Sequence, residues 1–169
     1  MSLPVILPGV RQLIVCDRAS FEEVEDQWVI RQPWSTRFLG EGVQFPFSPP
    51  ELWAYIELTG GLGPVCLGLL VDRKVDFRES PNPDEDFQPR YETIWARVST
   101  EPYVFPSDVS RQTVYVLSVS LPELEFPDEG VYEFRVIALF GMSDEGEPDI
   151  RPLPGEPAEV FILDPARKL

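Results

Sequence analysis

The chain has 169 residues, of which 43% are hydrophobic and 12% aromatic, enough to bury the core of one domain. Its 14 Lys and Arg against 29 Asp and Glu give a formal charge of −15 at pH 7, so its surface should repel phosphate backbones and anionic lipid head groups. We therefore expect neither nucleic acid nor a membrane as a partner. We predict a single domain over residues 1–169, with a core over about 10–163.

Turn-forming residues are distributed along the whole chain. Its 19 prolines and 11 glycines predict many short strands and few helices. The first strand is predicted at residues 10–16 and the second at 27–31. Between them, Ser20-Phe21-Glu22-Glu23 has the form of a helix capping box, but no apolar stripe with a helical period follows it. A hairpin tip is therefore favoured over a helix.

The middle of the chain predicts a second hairpin. Residues 51–59 and 64–74 each place apolar side chains at alternate positions, as half-buried strands do. The glycines at 60, 61 and 63 supply the turn between them, since glycine accepts positive φ angles. Residues 34–50 are aromatic, rich in proline and irregular, whereas 75–89 read as an exposed acidic loop.

Three further strands are predicted at 91–98, 113–121 and 157–163, and a fourth follows a turn at 127–130. In that strand Tyr132 and Phe134 share one face. The spacing Asp128-x-Gly130-x-Tyr132-x-Phe134 resembles the tyrosine corner of immunoglobulin-like sandwiches, in which the tyrosine hydroxyl bonds back to the preceding backbone. We predict an all-β protein, an antiparallel two-sheet β-sandwich of about eight or nine strands.

Short motifs point to one family. They are Cys16-Asp17, Leu58-Thr59-Gly60-Gly61-x-Gly63, Leu70-Val71-Asp72 and Leu121-Pro122-x-Leu124-x-Phe126-x-x-x-Gly130-x-Tyr132-x-Phe134. With them the chain resembles a family of small bacterial β-sandwich proteins of immunoglobulin-like character and no established activity. The resemblance implies a fold, a structural role for Gly130, Tyr132 and Phe134, and no catalytic residue. Phe134 stands where an antibody-type domain has the second cysteine of its inter-sheet disulfide.

The chain contains no histidine. Nucleophiles activated by histidine and zinc sites with histidine ligands are therefore excluded. Cys16 and Cys66 lie within apolar runs and are expected to be buried thiols, with one disulfide between neighbouring strands as the alternative. No signal-peptide pattern is seen, and the cytoplasm is the expected location.

Carboxylates are the remaining candidates for chemistry. Paired acids could serve a carboxylate-based hydrolase, and the strand-borne candidates are Glu51, Glu57, Glu92 and Glu133. Their alternating positions favour a solvated sheet face instead. Two acidic loops offer oxygen ligands for calcium. The candidate calcium ligands are Asp84, Asp86, Asp144, Glu147 and Asp149.

Aromatic side chains supply the remaining candidate binding site. Trp34, Phe38, Phe45, Phe47 and Trp53 lie in or beside the irregular segment 34–50. They could form a recognition patch for a protein partner or a sugar-stacking platform, or they could cover the end of the core. We predict a non-enzymatic protein-interaction or structural module, with a carbohydrate- or calcium-binding module as the alternative. Unpaired sheet edges would also allow a homodimer.

Overall fold

The structure, a computed structural model, describes residues 5–75, 90–105, 114–142 and 144–165. These ranges form strands and contain no helix, and hence no helix that could cross a membrane, so the predicted all-β class is confirmed. The eleven strands are β1 (Gly9–Glu22), β2 (Gln27–Pro33), β3 (Thr36–Phe38), β4 (Trp53–Thr59), β5 (Gly63–Val75), β6 (Arg90–Val98), β7 (Tyr103–Phe105), β8 (Val114–Ser120), β9 (Gly130–Met142), β10 (Pro148–Pro152) and β11 (Ala158–Leu163).

The strands form two sheets that pack together as a β-sandwich. One sheet has four strands in the order β2-β1-β4-β8. The other has seven, in the order β3-β11-β9-β5-β6, with β10 beside β9 and β7 beside β5. Every pair is antiparallel except β11 with β3, which is parallel. The prediction of a purely antiparallel sandwich is therefore wrong at this one pair, because β3 runs alongside the last strand after the chain has changed sheets.

Eleven described strands exceed the eight or nine predicted. The additional strands β3, β7 and β10 have three, three and five residues, which is too short for an alternating pattern to be read. The first hairpin is confirmed, because β1 continues to Glu22 and pairs with β2 through Phe21 and Trp28. A turn over residues 23–26 takes the place of the alternative helix.

The core lies between the inner faces of the two sheets. Ala54, Ile56 and Leu58 of β4 belong to the same buried cluster as Leu69 and Val71 of β5, as their alternation predicts. The predicted second hairpin is wrong, because β4 and β5 belong to different sheets and do not pair. The chain instead crosses from one sheet to the other through Gly60 and Gly63, whose φ angles are 75° and 79°. Side chains other than glycine rarely adopt that conformation, so these two residues allow the tight change of sheet.

Tyr132 fixes the corner that precedes β9. Its side chain is fully buried, and its hydroxyl donates a hydrogen bond to the carbonyl oxygen of Asp128. The same hydroxyl accepts a hydrogen bond from the Asp128 backbone N–H at 3.4 Å. Burial raises the pKa of the Tyr132 hydroxyl, since the phenolate is disfavoured in an apolar environment. The ring meets Phe126 edge-on, with 4.8 Å between the centroids.

The two long sides of the sandwich differ. On the first, called the Trp34 side, the chain passes directly from β2 in one sheet to β3 in the other. The Trp34 indole N–H donates to Asp17 at 2.7 Å, and the Trp34 backbone N–H donates to Val15 O at 2.7 Å. The second, called the cleft side, is bounded by β8 of the four-stranded sheet and β6 of the seven-stranded sheet.

Candidate functional site

A cleft of about 740 Å³ lies on the cleft side, between β8 and the strands β6 and β7. Protein pockets that hold small ligands or short segments commonly have about 300–1,000 Å³. Inner-face side chains of both sheets form its apolar floor, namely Ile56, Leu67, Leu69, Leu117, Val119 and Val136. Leu117 and Val119 of β8 are half-buried, whereas the other four residues are buried, so the apolar surface that the cleft offers to solvent lies mainly on β8.

A looped segment shapes one wall of the cleft. Val98 pairs with Gly68, and Tyr103 pairs with Val65. The segment from β6 to β7 therefore advances five residues where β5 advances three. The surplus residues, 99–102, form no strand pairing beyond the bond from the Ser99 N–H to Leu67 O at 2.8 Å, and they line the cleft. Gly68 permits the close pairing here, because a Cβ atom at this position would come within 2.6 Å of the Arg97 carbonyl oxygen.

Arg97 is a cation on the same wall. It pairs in register with Leu69, whose side chain is in the core. Opposed residues of paired strands point to the same face, so the Arg97 side chain lies on the inner face of β6, where it is exposed to solvent at the cleft. Within the described residues, no hydrogen bond or ion pair joins this side chain to another group.

Other polar groups surround the mouth of the cleft, namely Ser99, Thr100, Glu101, Ser118 and Ser120. Ser99 is already engaged, because its hydroxyl donates to the Glu101 carbonyl oxygen at 2.9 Å and accepts the Glu101 N–H at 3.3 Å. This local turn holds the looped segment in shape. The cleft thus combines an apolar floor with polar groups at its rim and the guanidinium of Arg97, which has no partner among the described residues.

Among the described strands, β8 is the terminal strand of the four-stranded sheet beside this cleft. Its sequence VYVLSVS has no charged residue, proline or glycine, and its register with β4 is unbroken from Val114 to Ser120. Natural proteins usually protect such an edge with charges, prolines, bulges or very short strands. Among the described terminal strands, β2 carries Arg31 and Pro33, β3 has three residues, and β6 is charged and bulged.

The structure does not gather the five predicted aromatic residues into one exposed patch. Trp34 and Phe47 contact Phe126, with centroid separations of 6.3 and 6.2 Å, and so cover the end of the core. Phe45 is half-buried against the same cluster. Phe38 alone of the five is largely exposed, at 64%. Trp53 lies at the cleft and donates its indole N–H to Glu51 at 3.0 Å.

A row of aromatic rings crosses the outer face of the four-stranded sheet, which sequence patterns did not identify. Phe21, Trp28 and Tyr55 follow one another at centroid separations of 5.7 Å. Their planes are inclined by 59° and 67°, so they form no flat platform for a sugar ring. The residues come from three strands, and only the pairing of β1 with β2 and β4 brings them together.

Two of the predicted calcium ligands, Asp84 and Asp86, lie outside the described residues. Asp144, Glu147 and Asp149 lie at the exposed connection from β9 and in β10. Asp149 accepts hydrogen bonds from Arg151 at 3.1 and 2.8 Å, and these lower the pKa of its carboxyl group. The described ranges contain no group of three or more acidic or cysteine side chains that could hold a metal ion.

The four strand-borne carboxylates have separate surroundings, and none of them lines the cleft. Glu133 is buried and forms an ion pair with Arg135. Glu57 accepts the Tyr55 hydroxyl at 2.8 Å and pairs with Arg11 at 3.6 Å. Glu51 accepts the Trp53 indole N–H, and Glu92 is exposed on β6.

The two cysteines are free thiols on different sheets, Cys16 in β1 and Cys66 in β5. The alternative of a disulfide between neighbouring strands is therefore wrong. Cys16 is buried as expected, whereas Cys66 is half-buried. Burial raises the pKa of the Cys16 thiol to about 11, which keeps it protonated and unreactive near neutral pH.

No family model matches the chain, and searches of curated proteins and of solved structures gave no match. The function is therefore argued from the site itself.

Proposed function

We propose that the protein is a non-enzymatic interaction module that binds an extended segment of a partner protein by strand addition to β8. The observation that carries this proposal is that β8 is a regular edge strand without protective residues and lies beside an apolar cleft. An edge strand of this kind offers a row of backbone donors and acceptors to an incoming chain.

Strand addition would use both parts of the site. Backbone hydrogen bonds to β8 supply affinity without regard to sequence, and alternate side chains of the added strand enter the cleft. Leu117 and Val119, which point inward from β8, would contact those side chains together with Leu67 of the opposite sheet. The favoured segment therefore has apolar residues at every second position.

The charge of the chain favours a different protein over a second copy. Two copies would each carry a formal charge of −15, and like net charges oppose association. A segment flanked by lysine or arginine is attracted by the same field. The partner segment is accordingly expected to be extended and alternately apolar, with lysine or arginine adjoining it on at least one side.

Two finer features belong to the same proposal. Immunoglobulin-like character is supported by the bond from the Tyr132 hydroxyl to the Asp128 carbonyl, which is the bond that defines a tyrosine corner. A cytoplasmic location is supported by two unpaired cysteines, since thiols remain reduced in that compartment.

The test is a matched pair of edge-strand variants. Val116→Lys places a charge on β8, and Val29→Lys places the same charge on β2 at the opposite edge of the same sheet. The probe is a synthetic library of alternately apolar peptides about nine residues long, followed by fluorescence anisotropy. We expect Val116→Lys to weaken binding about tenfold or more and Val29→Lys to leave it unchanged.

Hydrogen exchange provides a second measurement on the unmodified chain. Peptide binding should slow exchange of amides in β8 and leave those of β2 as they are. Equal effects of the two lysine variants, or binding without protection in β8, would contradict strand addition there. A concentration-dependent dimer that Val116→Lys dissociates would assign the edge to a second copy instead.

A further inference from the structure

The geometry points to a specific ligand group in this site: Arg97 binds the C-terminal carboxylate of the added segment. This inference rests on the proposed function and adds to it the end of the partner chain and the residue that recognises it. The supporting observations are the position of Arg97 on the inner face of β6 at the cleft, its lack of a partner in the described ranges, and the form of the adjoining wall.

Arg97 differs from four other arginines of the described residues, each of which forms an ion pair. The chain has 29 acidic residues against 14 basic ones, so carboxylates are abundant. Arg11, Arg73, Arg135 and Arg151 each form an ion pair with one of them. Glu101 lines the same cleft as Arg97, yet no ion pair links the two. Within the described ranges, the Arg97 guanidinium thus lines the cleft and forms no ion pair.

A carboxylate fits this guanidinium better than other anions. The planar fork of arginine matches the two oxygens of a carboxylate in a bidentate pair. Phosphorylated or otherwise highly charged ligands would be opposed by the net charge of −15, whereas a single negative charge beside an apolar body meets less repulsion. The Thr100 hydroxyl at the rim can donate a further hydrogen bond to its oxygens.

The end of a chain fits better than its middle. Residues 99–102 follow directly after the strand that carries Arg97 and line the same cleft. A segment that continued past Arg97 would meet this loop, whereas a segment that ends there would not. A fatty acid could use the arginine and the apolar floor, but it has no backbone groups to pair with the β8 edge.

The experiment compares each selected peptide as the free acid and as the C-terminal amide. On the unmodified chain we expect the acid to bind about tenfold more tightly or better, since hydrogen bonds to a charged group are stronger than neutral ones. Arg97→Gln should reduce the ratio to about one, and Arg97→Lys should retain part of it. Arg31→Gln, an exposed arginine on the β2 edge, is the matched control and should keep the full ratio.

The outcomes separate this inference from the proposed function. Equal binding of acid and amide, or a ratio that survives Arg97→Gln, overturns the carboxylate site and leaves strand addition standing. Binding of neither form overturns both. Decanoate is added as a lipid probe: if it binds through Arg97 while no peptide does, the ligand class is a fatty acid and the inference is wrong. Thermal unfolding of each variant checks that the fold is retained.

Discussion

The Trp34 side and the cleft side of the sandwich are built from the same kinds of residue, but their apolar side chains are buried to different degrees. On the Trp34 side, aromatic rings close over Phe126, which is fully buried. On the cleft side, all seven residues of β8 are only half-buried. Apolar burial is the main source of folding stability. The comparison therefore suggests that the Trp34 side stabilises the fold, whereas the cleft side retains apolar surface for a ligand.

The largest expected effect comes from truncating a core residue on each side. Phe126→Ala should lower the free energy of unfolding by about 3–5 kcal/mol, because it removes a ring that Trp34, Phe47 and Tyr132 contact and leaves a cavity. Leu117→Ala in the half-buried β8 should cost about 1–2 kcal/mol. Urea denaturation measures both. Equal losses would mean that the cleft side contributes as much to the core as the Trp34 side.

The second comparison removes a tyrosine hydroxyl from each side. Tyr132→Phe should cost about 1–2 kcal/mol, since the Asp128 carbonyl and N–H lose their partner. Tyr103→Phe, at the cleft, should cost less, because no hydrogen bond of its hydroxyl is found in the described ranges. Chemical denaturation at neutral pH compares the two variants, and a larger loss for Tyr103→Phe would reverse the assignment of the two sides.

The buried hydroxyl of Tyr132 predicts that the free energy of unfolding depends on pH in the alkaline range. Burial raises the pKa of Tyr132 above its ordinary value of 10.0, so the unfolded chain releases this proton at a lower pH than the folded chain. Its contribution is fully present below about pH 10 and is lost as the pH rises from there through the folded-state pKa. Denaturation midpoints measured across this window should fall less steeply for Tyr132→Phe than for the unmodified chain.

The smallest expected effect distinguishes two arginines. Arg73 pairs with Asp128 at 3.6 Å and donates to the Glu129 carbonyl at 3.4 Å, so Arg73→Gln should cost about 0.5–1 kcal/mol. Arg97→Gln should change stability by less than about 0.5 kcal/mol. Differential scanning calorimetry resolves both. A clear destabilisation by Arg97→Gln would indicate that this arginine supports the fold rather than binding a ligand.

Local pattern was sufficient for the parts of the fold that depend on alternation. The inward positions of Ile56 and Leu69 could be predicted, because side chains on a strand alternate whatever the partner strand is. A turn at Gly60 could also be predicted, but not that it crosses between the sheets instead of closing a hairpin. The three-residue strand Tyr103–Phe105 could not, since it forms only by pairing with β5 at a distant point in the chain.

The candidate site depended on information that local pattern does not contain. Arg97 is one of several polar residues in the predicted strand 91–98, and its position at the cleft follows from its register with Leu69. The aromatic content of segment 34–50 predicts a candidate binding site. Trp34 and Phe47 instead pack on Phe126, more than 75 residues away in the sequence. The sequence shows which aromatic and charged side chains are present, but the order of the strands determines which of them are in contact.

The loop at 99–102 allows the shape of the cleft to change independently of the positions of the strands. Because β6 and β7 are each anchored to β5 through their own register, residues between them can be added or removed while both anchors stay in place. Changes in loop length there would alter the depth and shape of the recess without shifting a strand. Related chains could therefore diverge in what they recognise at this position while the architecture around it remains constant.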